Sequence, residues 1–321
     1  METHESNVMI KMIGFQYTSK PYQQWAKGLE THGDVYEHIT NYQHNKKYLA
    51  DCYLQQNLIK NKHIADKRRL ALIGNKYQYI LDSKKPFLVA ESSPFREYKH
   101  YRRWGWNSYG WKDTNCNNAN VGPERWNAFV KNTNISIHDW HSPGDNIIIM
   151  GQKEGDSSLN SLYNSGYLSF YEWVEKIIKD IRKYTDRKII IRPHPRNLSK
   201  GIKLATRIQE KTKDVIVSKN LTKGGSQGGV GLEKDLSLAY CVITFNSLSA
   251  IEALTRGIPV FASNNMSMAW PIAHKDFSQI ENLNYDINLQ DWKNKIAYTM
   301  WNKDEVSSGK TWEHLKSVYF K

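Results

Sequence analysis

Cysteine is scarce in this chain, and its scarcity excludes a good deal. Three thiols, Cys52, Cys116 and Cys241, are scattered through 321 residues, with no pair motif and no zinc-ligand spacing. A disulfide-built secreted scaffold is not expected, and the thiols fit a reducing, cytoplasmic setting. No window approaches eighteen uninterrupted apolar residues, so neither a transmembrane helix nor stable membrane insertion is expected. The opening METHESNVMI lacks the basic region and apolar core of a signal peptide. Acids are also short: 32 Asp and Glu face 45 Lys and Arg, a formal net charge of +13. That balance suits a polyanionic partner such as nucleic acid or an anionic membrane surface. The abundance of Lys, Asn and Ile equally fits the codon bias of an AT-rich genome.

Apolar residues are not lacking. They make up 40% of the chain, and the mean hydropathy is −0.67, values of a globular protein with one large or two medium domains. VMIKMIGFQ (8–16), KYQYILDS (76–83) and KPFLVAES (85–92) read as strands, with a polar helical stretch from about Gln23 to Lys67. Residues 98–127, crowded with Trp, Tyr, Arg, Gly and Asn, carry no usable period and read as a long loop. After HSPGD (141–145) the texture turns regular. NIIIM (146–150), KIIIRP (188–193), DVIVS (214–218), CVITF (241–245) and IPVFAS (258–263) alternate with helical segments at 167–184 and 197–211. Such alternation predicts a parallel sheet with crossover helices. The fold class expected is α/β, two Rossmann-like domains facing across a cleft. Residues 1–145 would form one domain and 146–290 the other. Residues 291–321 would be a helical segment crossing back, as LQDWKNKIAYTMWNKDEV (289–306) suggests.

Ligands of an open parallel sheet collect where strand C-termini meet helix N-termini. Three strand ends in the second half are chemically loaded: GQKEGDSS (151–158), RPHPR (192–196) and NSLSAIE (246–252). Asn246, Ser247 and Ser249 offer donors at a helix start, suited to a phosphate or to plain capping. His194 lies between two prolines that stiffen the backbone, flanked by Arg192 and Arg196, and can donate to a phosphate leaving group. Glu252, further along the helix, suits ribose hydroxyls or a solvated helix face. The Gly-rich KGGSQGGVG (223–231) matches no phosphate-binding fingerprint.

RPHP, followed about fifty residues later by FNSLSAIEALTRGIPVF, resembles the donor half of GT-B glycosyltransferases. The resemblance points to the bacterial capsule-polysaccharide group that includes Kdo transferases, and to the His-Pro and Ser-Ser motifs of GT-B sialyltransferases. IIIMGQKEGDSSL is similar to a Gln- and Asp-containing segment of that group, which brings in Gln152. The likeness covers about residues 146–275. It implies a nucleotide-sugar co-substrate, UDP- or CMP-linked, with no further cofactor. His194 and the Asn246–Ser249 cluster would take the phosphate and Glu252 the ribose. Stabilisation of the leaving group would need no metal, and no Asp-x-Asp motif stands out. The related retaining mechanism would make Asp156 a nucleophile and Glu91 an acid/base across the cleft.

For the acceptor, Arg96, Arg102, Arg103, Trp104, Trp106 and Trp111, with Tyr98, Lys99, Tyr101, Tyr109 and Lys112, compose an aromatic-basic stretch. Aromatic faces stack on bases while Arg and Lys hold phosphates. With the overall basicity, the expectation is an enzyme that glycosylates hydroxylated pyrimidines in double-stranded phage DNA, in the host cytoplasm. A surface or capsule polysaccharide transferase is the alternative, and a non-catalytic nucleic-acid-binding module is a third reading.

Overall fold

The computed structural model describes residues 8–15, 21–43, 45–55, 67–112, 118–221 and 229–320. Most of the Gly-rich stretch 223–231, and Cys116, lie outside the described residues. Two sheets organise the rest. The first has six strands: β1 (Lys11–Phe15), β2 (Val35–Ile39), β3 (Cys52–Gln55), β4 (Phe87–Ser92), β5 (Tyr101–Trp106) and β11 (Met300–Asn302), ordered β11-β5-β4-β3-β1-β2. Its strands pair in parallel from β2 to β4, and antiparallel at β4–β5 and β5–β11.

The second sheet, β6 (Asn146–Met150), β7 (Ile189–Arg192), β8 (Val215–Val217), β9 (Ala239–Thr244) and β10 (Val260–Ala262), is parallel throughout and ordered β10-β9-β6-β7-β8. Ile147 to Ile149 and Ile189 to Ile191 are at most 4% exposed. Helices cover both faces, so the side chains of these strands are buried whichever way they point. Each fully buried Ile contributes roughly 1.5–3 kcal/mol of transfer free energy. Helix Phe170–Ile181 supplies one cover; it buries Phe170, Trp173, Val174, Ile177, Ile178 and Ile181, and Ser169 caps it by accepting from the Glu172 N–H.

Several expectations need correction. KYQYILDS is not a strand: it is the end of helix Lys67–Asp82. Tyr77-x-Tyr79-x-Leu81 imitates a strand period, yet Leu81 is 43% exposed and Ile80 is fully buried. The stretch Gln23–Lys67 is not one helix. It holds helix Pro21–Glu30, then β2 and β3. Residues 98–127 are not one loop either, since they contain β5 and enter helix Glu124–Thr133. The segment 289–306 is interrupted by β11 between helices Gln290–Ala297 and Lys303–Ser307.

Arg125 ties helix Glu124–Thr133 to this returning C-terminal segment. It pairs with Glu305 at 2.6 Å, donates to Ala297 O at 2.9 Å, and lies 3.5 Å over the Trp301 ring. One apolar core runs across both sheets and includes Phe95, Trp126 and Phe129 with Ile148, Val242 and Trp292. The two halves therefore meet through packed side chains as well as across open space.

Candidate functional site

Strand order in the second sheet reverses between β6 and β9, and the crevice beyond their carboxyl ends is where such sheets bind ligands. The residues following these two strands are tied together there. Gln152 donates to Asn246 Oδ1 at 2.6 Å and accepts the Asn246 backbone N–H at 3.0 Å. Asn246 Nδ2 reaches Ser158 O at 2.7 Å and Asn264 Oδ1 at 3.3 Å. Thr244 Oγ1 accepts the Ser247 N–H at 2.9 Å, and Ser247 Oγ lies 2.8 Å from Ser249 Oγ. Gln152, Asn246, Thr244 and Ser247 are thus held by their neighbours, which fixes their direction.

RPHPR comes close beside it because residue 151 is Gly. A Cβ there would lie 2.5 Å from Arg192 O and 2.8 Å from His194 N. His194 then starts a short turn with its Nδ1 accepting the Arg196 N–H at 3.1 Å. Burial, and then the charges of Arg96 and Arg196, hold its pKa down at about 4. At neutral pH the ring is uncharged, and with Nδ1 used as acceptor its proton sits on Nε2. His194 is thus a neutral donor.

A cavity of about 400 Å³ opens between the sheets. From the second half it is lined by Gln152, Lys153, Asp156, Ser158, His194, Arg196, Asn246, Ser247, Leu248 and Met266. From the first it is lined by Glu91, Ser92, Ser93, Arg96, Lys99, Tyr101, Arg102, Arg103 and Tyr109. Glu91, the last residue but one of β4, has its Oε1 accepting the Ser92 N–H at 2.7 Å, and Asp156 Oδ1 accepts the Ser158 N–H at 3.2 Å. The structure therefore brings to one cavity Glu91, Asp156, Gln152, His194, Arg196, Asn246, Ser247, Arg96, Arg102 and Arg103. His194 and Ser247, from separate strand ends, share it.

Other expected site residues lie elsewhere. Arg192 is 6% exposed and is spent inside the protein: it pairs with Asp235 and donates to Asn220 O at 3.0 Å and Gly231 O at 3.2 Å. Asp235 also accepts from Ser218 and Asn220, so this is a buried clamp rather than a ligand contact. Ser249 is not among the residues lining the cavity; its Oγ lies 2.8 Å from that of Ser247. Glu252 lines a second cavity, of about 740 Å³, and pairs with Arg96 at 3.1 Å. Burial raises its pKa, and the Arg96 and Arg256 charges oppose that rise. Arg96 borders both cavities.

Trp104, Trp106 and Trp111 correct the idea of a base-stacking surface. They are 3–4% exposed. Trp104 packs edge-on to Trp25 at 5.0 Å and Trp106 against Tyr319 at 4.9 Å. Trp111 belongs to the core shared by the two sheets. None of the three has a face open to a base.

Lys153, Ser158 and Met266 line the cavity without having been singled out. Met266 follows β10, and the carboxyl end of that fifth parallel strand was a signal available in the sequence. Among the described residues no group of three His, Cys, Asp or Glu is placed to hold a metal ion. No helix among them is long and apolar enough to cross a membrane.

Comparison with solved structures gives the fold a precedent. The chain is similar to two transferases of Thermosulfurimonas dismutans KpsC. One is the β-Kdo 2,7-transferase, at 12% identity and a TM-score of 0.50, covering 94% of this chain and 98% of that one. The other is the β-Kdo 2,4-transferase, at 13% identity and a TM-score of 0.50, covering 94% and 97%. At this identity the likeness is one of fold. No protein-family model and no curated protein matches the chain.

Proposed function

We propose that the chain is a nucleotide-sugar-dependent glycosyltransferase of GT-B type whose acceptor is a glycan of the surface-polysaccharide kind. One observation carries this reading: three strand-end loops of the second sheet converge on a cavity that the first sheet closes with a carboxylate. His194 Nε2–H, Ser247 and Arg196 face the donor phosphate and stabilise the charge that grows on it as the sugar departs. Gln152 and Asn246 hold that wall in register. The nucleoside, CMP- or UDP-linked, extends towards Glu252 in the adjoining cavity, where ribose hydroxyls displace Arg96. Asp156 serves as nucleophile and Glu91 as acid/base at the anomeric carbon, the roles that a retaining double displacement requires.

A glycan acceptor is favoured over DNA because the tryptophans that would grip a base are in the core. The two Kdo transferases of the same fold support that choice. Thermal shift and hydrolysis with a panel of CMP- and UDP-linked sugars, CMP-Kdo included, test the donor. Transfer is then compared between oligosaccharide acceptors and duplex DNA containing hydroxymethylcytosine. Transfer to the glycan alone is expected. Transfer to DNA would overturn the acceptor assignment, and no turnover of any nucleotide sugar would overturn the enzyme.

A further inference from the structure

Tyr109 connects the two walls of the cavity. It is 5% exposed, lines the cavity from the first half, and its hydroxyl lies 3.2 Å from Ser157 Oγ in the second. Burial raises its pKa, and the charges of Glu91 and Asp156 add to the rise, so the phenol keeps its proton. Tyr109 belongs to a short strap, residues 108–112, that leaves β5 and docks on the second half. The Trp111 N–H donates to Met266 O at 3.2 Å and the Lys112 N–H to Asn265 O at 3.1 Å. A Cβ on Gly110 would lie 2.8 Å from Met266 Cβ, so a glycine is needed for the two segments to approach this closely. The root of the strap is fixed as well. Asn107, at φ 61°, donates its N–H to Phe87 O at 2.6 Å, and its Oδ1 accepts the Phe87 N–H at 3.0 Å. Phe87 opens β4, the strand that carries Glu91.

On the second half the strap meets the turn that carries Asp156. The Asp156 N–H closes this turn on Lys153 O at 3.1 Å, with Gly155 at φ 72°. Tyr163 Oη accepts the Gly155 N–H at 2.9 Å and donates to Glu154 Oε2 at 2.9 Å, while Glu154 Oε1 accepts the Phe170 N–H at 2.7 Å. Glu154 and Tyr163 thus pin the turn to its own sheet and helices, and Tyr109 pins it to the other half. We propose that Tyr109 is a positioning residue: through Ser157 it sets the place of Asp156 opposite Glu91, so the spacing of the two carboxylates is built in before a ligand arrives. The alternative design is closure driven by the ligand. The role of the carboxylates rests on the glycosyltransferase reading; the tie between the halves does not. A tie of this kind governs rate more than binding. Misplacing a reacting group by about 1 Å can cost about 10²-fold, whereas Gln152, Asn246 and Ser247 are held by bonds of their own.

Tyr109→Phe removes the hydroxyl and keeps the ring, with its place 5.1 Å from the Arg103 guanidinium. Ser157→Ala removes the same bond from the other side. With a nucleotide sugar that the wild type hydrolyses, each variant should lower kcat roughly tenfold or more and leave the donor KM within about twofold. The double variant should be no slower than the slower single one, because both changes remove one interaction. A second measurement needs no nucleotide sugar. Hydrogen exchange of the ligand-free chain should be faster in Tyr109→Phe over residues 108–112 and over residues 153–159 together, with β7 unchanged.

An unchanged kcat overturns the proposal, even beside a lower melting temperature, since the bond would then be structural alone. A raised KM at unchanged kcat overturns it too, because Tyr109 would then act on donor binding. So does a double variant whose loss equals the product of the two single losses, or exchange that quickens in one segment or in neither. If the wild type turns over no nucleotide sugar, the enzyme reading fails by itself and exchange decides the tie. Faster exchange in both segments then upholds it, and unchanged exchange overturns it.

Discussion

The two walls of the cavity are built on opposite plans. On the second-sheet side, Gln152, Asn246, Ser158, Ser247 and Thr244 bond to one another until little side-chain capacity is left over. On the first-sheet side, Arg102 is exposed and Arg103 is buried without a hydrogen bond at Nε. One wall is rigid before any ligand arrives. The other presents charge to the cavity, with Glu91 acting on Arg103 across β4–β5. Preorganised dipoles serve a group that every catalytic cycle presents in the same place, whereas cations serve recognition of whatever carries the complementary charge.

Substitutions can break that contrast. The largest effect is expected from Arg192→Met, which strands Asp235 in the interior beneath the rigid wall. Chemical denaturation should show a loss of about 3–5 kcal/mol, and a loss below about 1 kcal/mol would mean the wall does not depend on this clamp. Asn246→Ala comes next. It removes the side-chain acceptor of Gln152 Nε2 while the backbone N–H of residue 246 stays on Gln152 Oε1, at about 1–3 kcal/mol, and should raise the KM for donor at least tenfold in a hydrolysis assay.

His194→Ala tests chemistry more than folding, with at least a tenfold fall in kcat/KM, about 1.4 kcal/mol of transition-state stabilisation. It also carries a pH signature. The native ring stays neutral down to about 4, while the unfolded ring takes a proton near 6.5. Between those values the unfolded state binds more protons, so this group's contribution to stability falls as the pH drops. Denaturation midpoints at pH 7 and pH 5 should therefore differ less in His194→Ala than in the wild type. Arg102→Ala sits on the other wall and should shift stability by less than about 0.5 kcal/mol. It should still weaken acceptor binding, most visibly at low salt.

How much of this was legible in the sequence depended on the wall. The second sheet announces itself because strands buried on both faces become unbroken runs of Ile and Val, and every run from NIIIM to IPVFAS is a strand. The polar clusters after them mark the site for the same topological reason. The first sheet gives no such signal. Strand β5 reads YRRWGW, and its outer partner β11 lies some two hundred residues further on, so nothing local marks it as sheet. Its tryptophans looked like binding groups because aromatics beside arginines suit both a nucleic-acid surface and a core edge, and only burial separates the two. Arg192 misled in a similar way: its acid, Asp235, is distant in sequence.

That distant pairing of β5 with β11 has a consequence for how the protein is made. Residues 146–262 contain every strand of the second sheet, so it can assemble on the nascent chain as soon as they emerge. The first sheet, begun at β1, must keep one side of β5 open until residues 300–302 leave the ribosome. Long-range pairing of this kind is slow and leaves an unprotected strand for other chains to find. The lobe translated first is the one finished last.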